Sequence, residues 1–125
     1  MYENHFQEEE LKEIDIDGAK FKYKPTTAGE ENEWLKEYMI LDAQGNLIQD
    51  MSALNKCKLR NLKVAPYPKE LIKKYIGFEK EWAELNDDER WQIFSKLKPS
   101  FFSKLIKAIN QIDLGTEEEL KQKKN

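Results

Sequence analysis

Few side chains in this sequence could carry out catalysis. His5 is the only histidine and Cys57 the only cysteine among the 125 residues. A Ser-His-Asp or Cys-His arrangement would have to recruit His5 from an acidic N-terminal segment that we expect to be poorly ordered. One histidine and one cysteine are also too few soft ligands for a zinc site. These residue types predict a protein that is not an enzyme.

Carboxylates are the remaining candidates for metal or acid–base chemistry. Asp15, Asp17 and Asp42 could ligate a hard cation, but aspartates at turns usually hydrogen-bond the backbone instead. The acidic residues between 79 and 89 could supply a catalytic pair, although charge at this density normally marks a solvated helix surface. The five glycines are scattered, so the sequence has no phosphate-binding loop or dinucleotide fingerprint. We therefore expect neither a metal nor a cofactor.

One cluster of basic residues could form an electrostatic patch for nucleic acid, because lysine and arginine neutralise phosphates. It comprises Lys56, Lys58, Arg60 and Lys63. Against this use stand the sequence pI of about 5.4 and the excess of lysine over arginine, the side chain best suited to bidentate base recognition. Nucleic-acid binding is therefore the weaker alternative.

Charge divides the chain into two unlike halves. Residues 1–50 carry 13 acidic and 5 basic side chains, whereas residues 51–125 carry 11 acidic and 16 basic ones. The resulting net charges of −8 and +5 could steer a partner or align copies head to tail. Two solvated faces that happen to differ are the simpler alternative.

Cysteine usage and hydropathy indicate the compartment. A lone Cys57 cannot form an intramolecular disulfide, which favours a reducing, cytoplasmic environment. The segment 1–11 has neither the basic region nor the apolar run of a signal peptide, and no stretch approaches the ~20 apolar residues of a membrane helix. We expect a cytoplasmic protein that does not bind membranes.

The elements that would position any site predict an α+β fold. An acidic, mobile arm over 1–12 precedes a single domain over 13–114, and a charged tail follows over 115–125. Within the domain, a β-hairpin-rich part (13–65) leads into a bundle of about three helices (66–114), because Pro66 and Pro68 break the chain between them.

Local signals define the β-rich part. Alternating apolar residues around Asp17-Gly18 predict a first hairpin, and Thr27 with Glu30 forms the capping box of a helix from about Ala28 to Tyr38. A turn at Gly45-Asn46 predicts a second hairpin. Asp50 or Ser52 then caps a further helix lined by Leu54, Leu59 and Leu62, with Lys56, Lys58, Arg60 and Lys63 on its solvent side.

The helical part is expected at 69–85 with a break at Gly77, at 87–97 after the cap Asn86, and at 100–112. Its apolar stripes should pack mostly on one another. Phe101 and Phe102 lie about 100° apart on their helix, so one of the two is expected to face a partner. The candidate partner-binding residues are Phe78, Trp82, Trp91, Phe94, Phe101, Phe102, Leu105 and Ile109.

Three stretches resemble the phage tail assembly chaperones. The first contains Phe21, Tyr23, Lys24, Pro25, Thr26 and Thr27, followed by Trp34. The second contains Lys58, Leu59, Arg60, Asn61 and Leu62, followed by Ala65, Pro66 and Tyr67. The third contains Trp82, Leu85, Arg90, Leu97, Lys98 and Pro99 and leads into the last amphipathic helix.

This resemblance implies a small cytoplasmic protein of viral origin that binds other proteins. Its partners would be the tape measure protein, whose hydrophobic helices it keeps soluble, and the tail tube protein that polymerises around them. It also implies self-association and no catalytic residues. The alternative is another small phage structural, adaptor or regulatory binding protein, similar to a head–tail connector.

Overall fold

A computed structural model describes residues 2–115 and confirms a mixture of α-helices and small antiparallel sheets. Three short 3-10 turns, at Glu3–His5, Leu59–Asn61 and Trp82–Glu84, supplement the regular elements. The strands and α-helices, in chain order, are β1 (Lys12–Ile16), β2 (Ala19–Tyr23), α1 (Ala28–Tyr38), β3 (Met39–Leu41), β4 (Leu47–Gln49), α2 (Met51–Lys58), β5 (Leu62–Val64), α3 (Lys69–Ile76), α4 (Asp87–Phe94) and α5 (Pro99–Leu114).

The first sheet has the strand order β1-β2-β5. Its β1–β2 hairpin turns at Asp17 and Gly18, whose φ angles of 52° and 90° place both in the left-handed region. Asp15 Oδ1 accepts a hydrogen bond from the Gly18 backbone N–H at 2.9 Å. Every second residue of the two strands points into the core, where Ile14 lies opposite Phe21. The aspartates here act as turn residues.

Local capping signals placed the helix starts correctly. Thr27 and Glu30 form the reciprocal capping box of α1. Asp50 caps α2 by accepting from the Ala53 backbone N–H at 3.2 Å, and Asn86 caps α4. Each cap satisfies N–H groups that have no partner within the helix.

The structure corrects the predicted helix through Leu62. All the strands of the described residues lie between 12 and 65, together with the two helices α1 and α2 expected there. The chain leaves α2 at Lys58, passes through a 3-10 turn, and Leu62 begins the strand β5, paired with Tyr23 of β2. Pairing gives the backbone of β5 hydrogen-bond partners and buries Leu62 completely, which together outweigh a further helical turn.

The predicted helix over 69–85 is also shorter than expected. α3 ends at Ile76 because Gly77 adopts a left-handed φ of 93° and caps it. The rest of the predicted helix contains only a 3-10 turn at Trp82–Glu84. There Trp82 Nε1 donates to the Leu62 carbonyl at 3.1 Å. Likewise α4 ends at Phe94 rather than Leu97.

Two hydrophobic clusters hold the fold together. The main core joins the β1-β2-β5 sheet to α3, α4 and α5, so it draws on both sides of the predicted boundary at Pro66. The minor core contains Trp34, Tyr38 and Cys57, with Met39, Ala53 and Leu54 packed against it. β3 and β4 therefore stand at the end of the α1–α2 unit that the minor core stabilises.

The chain ends were predicted as an arm and a tail. The arm contains the 3-10 turn at Glu3–His5, and Gln7 Nε2 donates to the Thr26 carbonyl at 2.9 Å. Gly115 caps α5, and the rest of the predicted tail lies outside the described residues. Across 2–115, no helix combines the length and apolar character that crossing a membrane requires.

Candidate protein-binding surface

β3 and β4 form a separate two-stranded hairpin. Ile40 lies opposite Ile48, and Leu41 lies opposite Leu47. Within the described part of the chain no third strand joins them. A hairpin of two strands is only marginally stable by itself, so this one depends on the minor core at its base, where Met39 packs.

The apolar residues of this hairpin face water on both sides. We call Ile40, Leu41, Leu47 and Ile48 the hairpin patch. Leu41 and Leu47 are 66% and 68% exposed and lie on one face, while Ile40 and Ile48, both 43% exposed, lie on the other. Exposed strand edges normally carry lysine, proline or a bulge that prevents association. β3 and β4 carry none of these.

A tight turn holds the two strands in register. Asp42 Oδ1 accepts from the backbone N–H groups of Gln44 and Asn46, each at 2.9 Å. Gly45 has a φ of 82°, a conformation that favours glycine because it has no Cβ. The hydrogen bonds from the backbone, chiefly from Asn46, hold the pKa of the Asp42 carboxyl below its usual range.

We expect the hairpin to loosen in acid. Since the folded-state pKa of Asp42 is depressed, its contribution to stability is complete above the unfolded pKa of about 4 and is lost as pH falls through the lower folded value. The measurement is amide hydrogen exchange of Gly45 and Asn46 down to about pH 2, corrected for the intrinsic pH dependence of exchange. Asp42→Asn should remove the excess opening in acid; equal acid sensitivity in that variant would contradict the assignment.

Four of the eight predicted partner-binding residues prove to be part of the main core. Trp82, Phe94, Leu105 and Ile109 are all buried. Their stripes meet the inner face of the first sheet, so each side chain is already surrounded by its own protein. In this structure they offer no surface to a partner, which corrects the predicted set.

The other four predicted residues retain some exposure. Phe78 is 46% exposed, just beyond the end of α3. Phe101 and Phe102 are both half-buried, so neither faces fully outward as the helical spacing suggested. The Phe101 ring lies 6.3 Å from that of Phe21, and Phe102 makes an edge contact with half-buried Trp91 at 6.0 Å. Phe101, Phe102 and Trp91 pack against the main core.

The structure does not assemble the predicted basic patch as a set of free cations. Lys58 is buried rather than solvated, with its Nζ 3.1 Å from Asp113 Oδ2. Arg60 forms a two-pronged ion pair with Glu37 and also contacts Asp87 at 2.9 Å. Lys56 lies over the Trp91 ring at 4.4 Å, and Lys63 Nζ donates to the Arg60 carbonyl at 3.3 Å.

Residues 2–115 also form clefts, two of which concern the predicted site residues. One, of about 280 Å³, lies between α1, α2 and α4 and is lined by Cys57, Arg60 and Trp91, among others. Burial raises the pKa of the Cys57 thiol, so it stays protonated and weakly nucleophilic. The other, of about 910 Å³, lies between the N-terminal segment, β1 and the end of α5 and contains His5. The two groups that could have formed a Cys-His pair thus line different clefts.

Metal ligation finds no support in the geometry. Across residues 2–115, no group of three His, Cys, Asp or Glu side chains could hold a metal ion. Asp17 lies near Lys104 Nζ at 3.2 Å, and Asp15 and Asp42 serve their turns.

Sequence reasoning predicted the second hairpin but not its exposure. A signal was present: two three-residue strands without a charged residue, Met39–Leu41 and Leu47–Gln49. Side chains alternate across a strand, so apolar residues at successive positions need a cover on both faces. Among residues 2–115, such a cover is present only at the base of the hairpin.

Similarity to known proteins adds nothing to this picture. Comparison with protein-family models, with curated proteins and with solved structures returned no match.

Proposed function

We propose that this chain is a non-enzymatic protein-binding protein that acts as an assembly chaperone. Its sequence resembles the phage tail assembly chaperones, so the proposed client is the tape measure protein, which it keeps soluble while tail tube subunits are recruited. The observation that supports protein binding most directly is the hairpin patch of Ile40, Leu41, Leu47 and Ile48.

The hairpin patch has two faces that a partner could cover. Leu41 and Leu47 form the more exposed face and Ile40 and Ile48 form the other, with exposed fractions from 43% to 68%. Apolar residues exposed together in this way often mark a functional surface on a monomer. Two small faces bury less apolar area than a permanent interface does, which favours the reversible binding that a chaperone requires in order to release its client.

Charge around the hairpin patch suits the same role. Residues 28–50 carry six acidic side chains and one basic one, a net charge of −5. Acidic surface charge keeps proteins soluble more effectively than basic charge does. Lys24 and Arg60 pair with two of these acids, Glu30 and Glu37, and the others keep the unit acidic. A client segment covered by this unit would therefore exchange an apolar surface for an acidic one.

Co-expression tests the proposed function. A phage tape measure protein should become more soluble, and should co-purify, when it is produced together with this chain. The double variant Leu41→Glu and Leu47→Glu should abolish both effects, because it places charge in the centre of the docking surface. Both side chains are exposed, so the cores should stay folded. The two glutamates face each other across the hairpin and repel, so hydrogen exchange at residues 39–49 checks that the hairpin itself remains formed.

Phe6→Glu is the matched control. It makes the same change from apolar to acidic at a residue that is 76% exposed but lies outside the hairpin, and it should leave client solubility unchanged. Failure of the wild type to co-purify with the tape measure protein would contradict the chaperone proposal. Full activity of the double variant would contradict the use of the hairpin.

A further inference from the structure

The hydrogen-bonding pattern of the hairpin shows which backbone groups point outward. The Asp42 N–H donates to the Asn46 carbonyl at 2.9 Å, and the Asp50 N–H donates to the Tyr38 carbonyl at 2.6 Å. Hydrogen-bonded and non-hydrogen-bonded pairs alternate along an antiparallel ladder. The pairs Leu41–Leu47 and Met39–Gln49 are therefore non-hydrogen-bonded, and their N–H and C=O groups point away from the partner strand.

The two outer edges of the hairpin differ in their availability. On the β3 side, the Met39 N–H already donates to the Leu35 carbonyl at the end of α1. On the β4 side, all three residues are exposed, and Leu47 and Gln49 direct two N–H and two C=O groups outward. The outer edge of β4 can thus form four backbone hydrogen bonds with an added strand.

The charge of the surrounding unit distinguishes between occupants of this edge. A second copy pairing its own β4 here would bring together two acidic units. In residues 28–50 of each, Glu30 and Glu37 are paired with Lys24 and Arg60, which leaves four acidic side chains and one basic one, a net charge of −3. Like charges juxtaposed at an interface oppose association. A basic partner segment is attracted by the same charge, so electrostatic complementarity favours it over symmetric self-pairing.

We infer that the outer edge of β4 binds, as a third strand, an extended, basic and apolar segment that lies outside the hydrophobic helices of the client protein. This inference rests on the proposed function and specifies how the client is held. The backbone of Leu47 and Gln49 provides the hydrogen bonds, and the hairpin patch contacts alternate apolar side chains of the client. Lysine or arginine residues flanking those side chains face the acidic unit.

Proline at position 49 offers a direct test. Gln49→Pro removes an outward-pointing N–H and blocks the edge, yet it leaves the β3–β4 ladder and the hairpin patch intact, because proline is tolerated at edge positions whose N–H faces solvent. Gln49→Ala is the matched control, since it removes the same side chain and keeps the N–H.

The probe is a synthetic peptide of about eight residues in which valine alternates with lysine and threonine. Titration followed by amide chemical shifts should place it at residues 47–49, and hydrogen exchange at Leu47 and Gln49 should slow. Gln49→Pro should weaken binding at least ~10-fold and Gln49→Ala by less than ~2-fold. A glutamate-for-lysine peptide should bind at least ~10-fold more weakly, a difference that shrinks at high salt.

Three results would overturn the inference. Equal binding by Gln49→Pro and Gln49→Ala would exclude strand addition. A helical conformation of the bound peptide would show that the hairpin patch serves a different mode of recognition. A wild-type dimer that Gln49→Pro dissociates, in the absence of peptide binding, would identify a second copy as the occupant. If Gln49→Pro still solubilises the tape measure protein, the chaperone proposal survives and only strand addition is wrong.

Discussion

Asp113→Ala is expected to lower the free energy of unfolding by ~3–5 kcal/mol, because it leaves an uncompensated charge in the protein interior. Asp113 Oδ2 lies 3.1 Å from Lys58 Nζ, and the two side chains are only 7% and 10% exposed. The carboxylate also accepts from the Thr26 backbone N–H and from the Tyr23 hydroxyl, both at 2.8 Å. Burial raises the pKa of Tyr23, so its hydroxyl remains a donor.

Urea denaturation measures this effect, with Lys104→Ala as the control. Lys104 also pairs with an aspartate, Asp17, but both side chains are more than half exposed, so the loss of Lys104 should change stability by less than ~1 kcal/mol. Combining Lys58→Met with Asp113→Asn removes both charges, and the double variant should be more stable than Asp113→Ala. Equal stability of Asp113→Ala and Lys104→Ala would show that the interior pair contributes nothing.

The network around Asp113 joins distant parts of the chain. It connects the end of α5 to β2 and, through Lys58, to the end of α2. Lys58 Nζ also donates to Asn110 Oδ1 at 2.9 Å. Arg60 makes a second connection, between Glu37 of α1 and Asp87 of α4. These contacts fix the α1–α2 unit, and with it the hairpin, to the rest of the protein.

Leu105→Ala should cost ~2–5 kcal/mol of stability, whereas Phe78→Ala should cost less than ~1 kcal/mol. Both residues belong to the apolar stripes in which sequence reasoning sought a partner-binding surface. Leu105 has no exposed surface and Phe78 is 46% exposed. Truncating Leu105 leaves a cavity that its packed neighbours cannot fill, while the site of Phe78 remains open to water.

Chemical denaturation of the two variants under the same conditions provides the comparison. Client binding is measured at a temperature where both are folded, and Leu105→Ala should then bind like the wild type. If Leu105→Ala were as stable as the wild type but lost client binding, α5 would be part of the docking surface. That result would contradict the assignment of Leu105 to the main core.

Elements with a complete local signal could be predicted from the sequence. The β1–β2 hairpin follows from residue alternation and from Asp17-Gly18, and α1 follows from the Thr27–Glu30 capping box. The residues that specify each of them lie close together in the sequence. β5 could not be predicted in the same way, because its three residues form a strand only when β2 offers an edge.

The surface could be predicted only in part. Helical periodicity correctly identified Leu105 and Ile109 as members of one stripe, but it does not indicate whether another element covers that stripe. The hairpin at 39–49 was also predicted, and its exposure was not. Exposure depends on whether the rest of the chain supplies a covering layer, and that information is not local.

Composition, single His5 and Cys57 residues, turn chemistry and helix caps were determined by the sequence alone, because each depends on residue type or on contacts within a few positions. The tertiary structure decided which apolar residues stay in water. α3, α4 and α5 cover the inner surface of the first sheet. β3 and β4 lie at the end of the α1–α2 unit, where, among residues 2–115, the minor core packs only against their base and both faces of the hairpin stay exposed.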